Sequence, residues 1–224
     1  MTRLAIYDMD RTITHAPTWA PFLISTARRH APWRLLLMPA IAFAMLGYTA
    51  KLVDRAGLKQ AMQRLLLGGK LAPEAVDRAA TAFADRVVAT GVFAGARAQI
   101  EADRAAGYRL VLATASYRFY ATAIADRLGF DDVIATESTF DESGWLGAKM
   151  MGDNVYGPAK LRAIEAWFKT NRIDRKKAHV RFYSDHVSDA PALAWADEAF
   201  AVNAHGPLKA LARKRGWTIV DWER

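Results

Sequence analysis

The hydrophobic pattern of the chain begins with a short apolar run at residues 4–7 that stops abruptly at Asp8 and Asp10. Its β-branched and aromatic content predicts a buried strand that ends in a polar loop. From about residue 19 to residue 91 the pattern instead predicts four helices, and no convincing strand interrupts them. These predicted helices span residues 19–29, 35–50, 58–67 and 73–91.

Beyond residue 94 the pattern alternates between helices and short apolar strands. Helices are predicted at residues 94–106, 118–128, 158–170, 190–196 and 207–215, and strands at 108–113, 133–137, 180–183, 199–202 and 218–220. Turn residues between 138 and 154 favour a small, irregular hairpin or flap. This alternation predicts an α/β fold with a doubly wound parallel-sheet core, residues 1–16 and 92–224, and an all-helical cap, residues 17–91, inserted after the first strand.

The composition is typical of a folded protein from a reducing compartment. The 224 residues are 52% hydrophobic and 24% charged, which excludes disorder as the main state of the chain. The absence of cysteine excludes disulfide scaffolds, thiolate metal sites and cysteine nucleophiles. No long apolar leader precedes the first strand, so we expect a cytoplasmic location, with peripheral contact at the inner face of the membrane as an alternative.

The positive charge is concentrated in one segment. The chain carries a net charge of +8, and the segment 28–70 holds eight basic residues and one acid, which accounts for +7 of it. Such a cluster can face nucleic acid, an anionic membrane or a phosphorylated substrate, or it can be a solvated helix face. No nucleic-acid-binding motif accompanies the charge, so a nucleic-acid partner is not expected. The basic residues are Arg28, Arg29, Arg34, Lys51, Arg55, Lys59, Arg64 and Lys70.

Two carboxylates follow the first predicted strand. Asp8 and Asp10 are two residues apart, so their side chains can project on the same side at the carboxyl edge of the sheet, where open α/β folds place ligands. Adjacent carboxylates repel each other unless a cation lies between them. A hard divalent ion such as Mg²⁺, held by one or two carboxylates and by substrate phosphate oxygens, matches that requirement.

Further polar residues follow later strands. Thr114, Ala115 and Ser116 come between a strand and a helix, where hydroxyls and free N–H groups can hold a phosphate. Lys160 lies in the first turn of a helix, where the dipole disfavours a cation, so a bound phosphate would explain it better than solvent does. Asp185 and Asp189 follow another strand, and each could also be a simple helix cap.

Together these residues resemble the four motifs of the haloacid dehalogenase-like phosphatases. The similarity covers essentially the whole chain, and each motif comes just after a predicted strand. The helices between the first and second motifs resemble the subfamily that includes phosphoserine phosphatase and the C-type phosphatidylglycerophosphatases. The motif residues are, in order, Asp8, Asp10 and Thr12, then Thr114, then Lys160, then Asp185 and Asp189.

The resemblance implies a chemical role for each motif. Asp8 would attack phosphorus and become an aspartyl phosphate, and Asp10 would act as general acid and then as general base. Thr114, Ala115 and Lys160 would bind the transferring phosphoryl group.

The same resemblance implies a Mg²⁺ site. Its ligands would be the side chains of Asp8 and Asp185 and the backbone carbonyl of Asp10, with Thr12 and Asp189 in supporting positions.

Three residues depart from the family pattern near this site. Arg11 stands where the family usually has glycine, so the loop has less freedom for a positive φ. Ser184 also replaces a frequent glycine, and His186 stands where serine or threonine is frequent. Arg11, His186 and His15 are candidates for contact with the substrate.

The uncharged stretch at residues 35–50 has more than one interpretation, and the sequence therefore does not decide the substrate or the oligomeric state. Its sixteen residues, interrupted by Pro39 and Gly47, are fewer than the roughly 20 that span a bilayer. With basic and aromatic flanks it suits a helix lying in an anionic membrane interface, and equally a helix buried against its neighbours or in a dimer interface.

Three functions follow from these alternatives. The leading expectation is hydrolysis of an anionic lipid phosphate such as phosphatidylglycerophosphate. The first alternative is a soluble phosphomonoester such as phosphoserine, with arginines of the cap holding a carboxylate. The second alternative is a non-catalytic protein that binds anions or nucleic acid, which would leave the intact set of carboxylates unexplained.

Overall fold

The computed structural model describes residues 1–222 and has a central sheet of eight strands. The strands are β1 (Thr2–Tyr7), β2 (Lys70–Leu71), β3 (Arg109–Tyr117), β4 (Asp132–Phe140), β5 (Leu146–Met151), β6 (Ala178–Ser184), β7 (Glu198–Val202) and β8 (Thr218–Val220). Their order in the sheet is β2-β5-β4-β3-β1-β6-β7-β8. Neighbours from β4 to β8 pair in parallel, whereas β5 is antiparallel to both β4 and β2. The predicted parallel α/β core is confirmed.

Nine α-helices connect these strands within the described residues. They are α1 (Trp19–His30), α2 (Met38–Thr49), α3 (Arg55–Leu67), α4 (Pro73–Thr90), α5 (Ala94–Ala105), α6 (Arg118–Leu128), α7 (Pro158–Thr170), α8 (Ala190–Trp195) and α9 (Gly206–Arg215). Helix α3 begins earlier than the predicted residue 58, because the Asp54 carboxylate accepts a hydrogen bond from the Gly57 N–H at 2.7 Å and caps the helix. Residues Pro32–Leu37 form a 3-10 helix, so only the second part of the predicted helix 35–50 is α-helical.

The segment between β1 and β3 is not entirely helical. The short strand β2 lies between α3 and α4 and pairs with β5, where Lys70 is opposite Gly147. The segment 138–154 is also more regular than predicted, because β4 continues to Phe140 and forms an antiparallel hairpin with β5. Each added strand satisfies backbone N–H and C=O groups that an edge would leave unpaired.

The hydrophobic core lies on both faces of the sheet. Along β1, Tyr7 packs in the cluster on one face and Ile6 in the cluster on the other, as the alternation of strand side chains requires. On the Tyr7 face, Phe22 of α1 stacks on Tyr120 of α6 at 4.6 Å and meets Phe83 of α4 edge-on. Helices α1 and α4 of the inserted segment therefore share one hydrophobic cluster with the sheet, and a boundary between core and cap at residues 16 and 92 stays a prediction.

One part of the insertion exposes its apolar side chains. In α2 only Ile41 is buried and Phe43 is 73% exposed, and in the preceding 3-10 helix Leu36 is 80% exposed. The interpretation that this stretch is buried against its neighbours is therefore wrong, and it leaves a large exposed apolar surface. Within residues 1–222, no helix has the length and apolarity to cross a membrane. We call this surface the apolar platform; its members are Trp33, Leu36, Met38, Phe43, Met45, Leu46, Tyr48, Leu52 and Val53.

Candidate active site

The register of the sheet brings the motif residues to one edge. Tyr7 at the end of β1 is aligned with Leu112 of β3 and with Tyr183 of β6, and the Asp8 N–H donates to the Tyr183 carbonyl at 2.9 Å. Thr114 and Asp185 lie two residues beyond these partners, so they reach the same edge as Asp8. The strand that carries Thr114 does not end at residue 113 as predicted, because a shift in register between residues 114 and 117 lets pairing with β4 continue.

A buried lysine joins the predicted nucleophile to a carboxylate that was predicted in a supporting position. Lys160 Nζ donates to Asp8 Oδ1 at 2.7 Å and to Asp189 Oδ2 at 2.5 Å. All three side chains are buried, and Ser184 Oγ donates a further bond to Asp189 at 2.8 Å. The carboxylates of Asp8 and Asp189, which lie at the N-terminal end of α7, therefore explain why a lysine occupies the first turn of that helix.

Asp8 and Asp185 share a single hydroxyl. Thr12 Oγ1 lies 3.4 Å from Asp8 Oδ2 and 3.3 Å from Asp185 Oδ1, and it accepts a bond from the Asp185 N–H at 2.9 Å. The two carboxylates are therefore close together and buried, and the hydroxyl proton can serve only one of them at a time.

This arrangement fits a hard cation. Across residues 1–222 no cluster of three or more His, Asp or Glu side chains has metal-binding geometry. An ion here could be held by Asp8, Asp185 and a backbone oxygen such as the Asp10 carbonyl, with water or substrate completing the shell. Mg²⁺ is commonly bound in this way, by one or two carboxylates with several waters and phosphate oxygens.

Burial governs the protonation of these groups. It raises the pKa of Asp8 to about 7, with the neighbouring Asp189 and Asp185 acting in the same direction and Lys160 opposing them. Burial also raises the pKa of Asp185. For Lys160 burial favours the neutral form, but the charges of Asp189 and Asp8 outweigh it and hold the pKa of the lysine above its usual value. The lysine therefore stays charged, while Asp8 ionises only near neutral pH.

Asp10 is oriented by Ser116, which the sequence placed in the phosphate-binding segment, and by Thr18, which the sequence did not single out as a site residue. Its Oδ1 accepts from Thr18 N at 2.9 Å and from Thr18 Oγ1 at 2.7 Å, and its Oδ2 accepts from Ser116 Oγ at 3.1 Å. Thr18 lies at the N-cap of α1 but makes no side-chain cap bond there. A threonine just before a helix is ordinarily a cap, so its position in the sequence gave no sign of this second role.

Lys59 of α3 is a second residue that sequence reasoning missed. Its Nζ donates to the Ala115 carbonyl at 2.6 Å and to Asn154 Oδ1 at 3.1 Å, and lies 4.2 Å from the centre of the Tyr117 ring. Burial, assisted by the charge of Arg55, lowers the pKa of Lys59 to about 7. A basic residue on a predicted helix is ordinarily exposed, and nothing local marks this one as a contact to the phosphate-binding segment.

A cavity of about 310 Å³ opens above these groups. Every predicted catalytic, phosphate-binding and metal-binding residue lines it, and so does Asp189. The inserted segment contributes Arg55, whose guanidinium carbon lies 4.0 Å from the centre of the Tyr156 ring, also on the wall. The arrangement can bind an anion between Lys160 and the donors of β3 while a second group of the ligand meets Arg55.

The three candidates for substrate contact are placed differently. Arg11 lines the cavity and adopts the left-handed conformation, with φ +62. This conformation costs a residue with a side chain about 1–2 kcal/mol, a cost that glycine would not incur. His186 also lines it, and its Nδ1 accepts from the Ser188 N–H at 3.1 Å. His15 does not line it: its N–H donates to the Gly91 carbonyl, and its ring meets Phe93 beside a neighbouring cavity.

Residues 5–194 match the family model of haloacid dehalogenase-like hydrolases, and the chain belongs to this family. A phosphoserine phosphatase of Mycobacterium tuberculosis is 27% identical over 226 residues, which cover 99% of this chain and 71% of that protein. A histidinol-phosphatase of Neisseria meningitidis is 21% identical over 57% of this chain and 58% of its own length. Within its family, therefore, the chain is a phosphatase.

Solved structures show the same fold. A protein of unknown function from Bordetella pertussis Tohama I superimposes with a TM-score of 0.87 at 24% identity, over 99% of both chains. A substrate-bound phosphoserine phosphatase superimposes with a TM-score of 0.62 at 17% identity, over 99% of this chain and 93% of that one. The family resemblance of the sequence is confirmed.

Proposed function

We propose that this phosphatase is a Mg²⁺-dependent phosphomonoester hydrolase that forms an aspartyl phosphate on Asp8. Its substrate is a small soluble molecule whose leaving group carries a carboxylate, the class to which phosphoserine belongs. The observation that carries the proposal is the buried pairing of Asp8 with Lys160 and Asp189 at the floor of a cavity that Arg55 lines. The phosphoserine phosphatase among the relatives supports the soluble substrate over the lipid phosphate that the sequence alone favoured.

In the first step a carboxylate oxygen of Asp8 forms a bond to phosphorus, and the bond from phosphorus to the leaving oxygen breaks. Asp10 gives its proton to that oxygen as it leaves. Lys160 offsets the charge of the phosphoryl oxygens and of the nucleophile, which would otherwise repel each other.

In the second step water attacks the phosphorus of the aspartyl phosphate and gives a proton to Asp10, which the first step left ionised. The bond from phosphorus to Asp8 breaks, and inorganic phosphate leaves. The three hydrogen bonds from Thr18 and Ser116 hold the Asp10 carboxylate in one orientation, so that the same group can act in both steps.

A Mg²⁺ ion would be held by Asp8, Asp185 and the Asp10 carbonyl. When bound, it supplies positive charge that offsets repulsion between the carboxylates and the phosphate. The raised pKa values of Asp8 and Asp185 support this assignment, because they show two buried carboxylates whose charge the protein alone does not fully neutralise.

Phosphate release from two substrates tests the proposal: phosphoserine, and a lipid phosphate in mixed micelles, each with Mg²⁺ and with EDTA. We expect turnover of phosphoserine that Mg²⁺ supports and EDTA abolishes, because a site with two close carboxylates needs the ion. Turnover of the micellar lipid but of neither phosphoserine nor its ammonium-free analogue 3-phosphoglycerate would exclude the soluble substrate. Turnover that persists in EDTA would exclude the metal.

The pH dependence is expected to change with the Mg²⁺ concentration. Asp8 must be ionised to attack, and burial raises its pKa to about 7, so at limiting Mg²⁺ kcat/KM should rise as the pH increases through about 7. Because the ion binds only ionised Asp8, saturating Mg²⁺ should move this rise to lower pH. Profiles of kcat/KM at the two concentrations measure the shift, and a midpoint that does not depend on Mg²⁺ would contradict it.

One observation favours a second candidate, an anionic lipid phosphate presented at a membrane. The apolar platform is exposed to solvent, and Arg28, Arg29 and Lys51 are exposed next to it in the chain. Other basic residues of that segment do not belong to its rim. Arg34 donates to the Leu65 carbonyl at 2.9 Å, and Arg55 and Lys59 turn toward the active site.

This candidate predicts that the protein sediments with vesicles that contain anionic lipid and less so with neutral ones. Replacing Phe43 and Leu46 by serine should weaken partition at least about 10-fold, since each buried apolar side chain contributes about 1.5–3 kcal/mol. Ile219→Ser, an exposed position on the opposite edge strand β8, is the matched control. Equal partition with and without vesicles would exclude the candidate, and a concentration-dependent dimer lost in the same variants would assign the platform to self-association.

A further inference from the structure

Each carboxylate that lines the cavity already has an ion-pair or hydrogen-bond partner within the protein. Asp8 and Asp189 are paired with Lys160, and both oxygens of Asp10 accept hydrogen bonds. Asp185 faces Thr12 and shares its hydroxyl with Asp8. Of the described residues that line the cavity, none beyond these four carries a carboxylate.

The upper wall carries the opposite charge. Arg55 lies against the ring of Tyr156, and Arg11 extends from its left-handed position, and among residues 1–222 neither guanidinium has an ion-pair partner. Asp54, which precedes Arg55, uses Oδ1 to cap α3. Apart from the four carboxylates that already have hydrogen-bond or ion-pair partners, the charged side chains that line the cavity are basic, so none of them can neutralise a cation of the ligand.

We propose that this site selects phosphomonoesters whose leaving group carries a carboxylate but no ammonium group. The inference rests on the proposed function and specifies the substrate class of the same site. A carboxylate can pair with Arg55 and with Arg11. An α-ammonium would instead lie without a carboxylate partner in a cavity that Arg11 and Arg55 line, and like charges placed together in a binding site are strongly unfavourable.

Two matched pairs of substrates test this preference. 3-Phosphoglycerate and phosphoserine share one carbon skeleton and differ in a hydroxyl in place of the ammonium. Phosphoglycolate carries a carboxylate alone, and phosphoethanolamine carries an ammonium alone. We expect kcat/KM for 3-phosphoglycerate to exceed that for phosphoserine by about 10-fold or more, and phosphoglycolate to exceed phosphoethanolamine by a larger factor. A kcat/KM for phosphoserine that equals or exceeds that for 3-phosphoglycerate would overturn the inference.

A neutral reference separates this inference from the proposed function. p-Nitrophenyl phosphate has neither a carboxylate nor an ammonium in its leaving group. If it is hydrolysed with Mg²⁺ but the order within the two pairs is reversed, only the inference fails. If neither it nor any of the four substrates is hydrolysed, the proposed function fails and the inference fails with it.

Reversing one charge provides an independent test. Arg55→Glu should lower the ratio of kcat/KM for phosphoglycolate to that for phosphoethanolamine by about 100-fold, mainly through KM, because it exchanges attraction for repulsion. Arg55→Gln should give an intermediate ratio. Arg213→Gln, an exposed position in the last turn of α9, should leave the ratio unchanged. If Arg55→Glu does not alter the ratio, Arg55 is excluded as the residue that recognises the charge of the leaving group.

Discussion

Replacing Asp8 by asparagine is expected to reduce phosphate release at least about 10⁴-fold while the protein remains folded. The amide has the shape of the carboxylate but cannot form the aspartyl phosphate. Lys160 keeps its second partner, Asp189, so no buried charge loses all of its neutralisation. Steady-state phosphate release with Mg²⁺, together with thermal denaturation of the same sample, measures both effects.

The Asp8→Asn variant also separates catalysis from binding of the ion. Because one of the two close carboxylates is lost, the increase in Tm that Mg²⁺ produces should be smaller in the variant than in the wild type. Asp126→Asn, an exposed position in α6, is the control and should match the wild type in both measurements. Asp8→Asn activity within about 10-fold of the wild type would exclude Asp8 as the nucleophile.

Replacing Lys160 by methionine is expected to lower the free energy of unfolding by about 3–5 kcal/mol at neutral pH. The variant leaves Asp8 and Asp189 buried without their shared cation. In the variant the pKa of Asp8 in the folded state rises further above its value in the unfolded state, so folding favours the protonated carboxyl. A carboxyl with a raised folded-state pKa stabilises the fold at low pH and loses that contribution as the pH rises. The loss of free energy of unfolding in the variant should therefore be larger at about pH 8 than at about pH 5.

Urea denaturation of Lys160→Met at these two pH values measures the deficit. Lys169→Met removes an exposed lysine from the last turn of the same helix and should change the free energy of unfolding by less than about 0.5 kcal/mol. Since Lys160 also offsets charge during phosphoryl transfer, Lys160→Met should lose activity at temperatures where it is still folded. A deficit that shrinks as the pH rises would contradict the charge pairing.

Much of the fold could be predicted because its signals are local. The apolar run before Asp8 marks the central strand, and the alternation after residue 94 marks the parallel sheet. The positions of Thr114 and Asp185 after predicted strands sufficed to place them at one edge, since the carboxyl ends of parallel strands meet there. Strand β2 could not be predicted, because two residues form a strand only where β5 offers them an edge.

The sequence by itself determined the α/β core, the carboxylates at its edge and the family to which the chain belongs, because these depend on short patterns and on motif order. Only the tertiary structure decided that Lys59 is buried against Ala115, that Thr18 orients Asp10 and that Arg55 faces the cavity while α2 faces solvent. All of these but the contact of Thr18 with Asp10, which spans eight residues, depend on residues far apart in the chain. Burial and electrostatic environment, which set the charge of a side chain, arise only when those distant residues pack together.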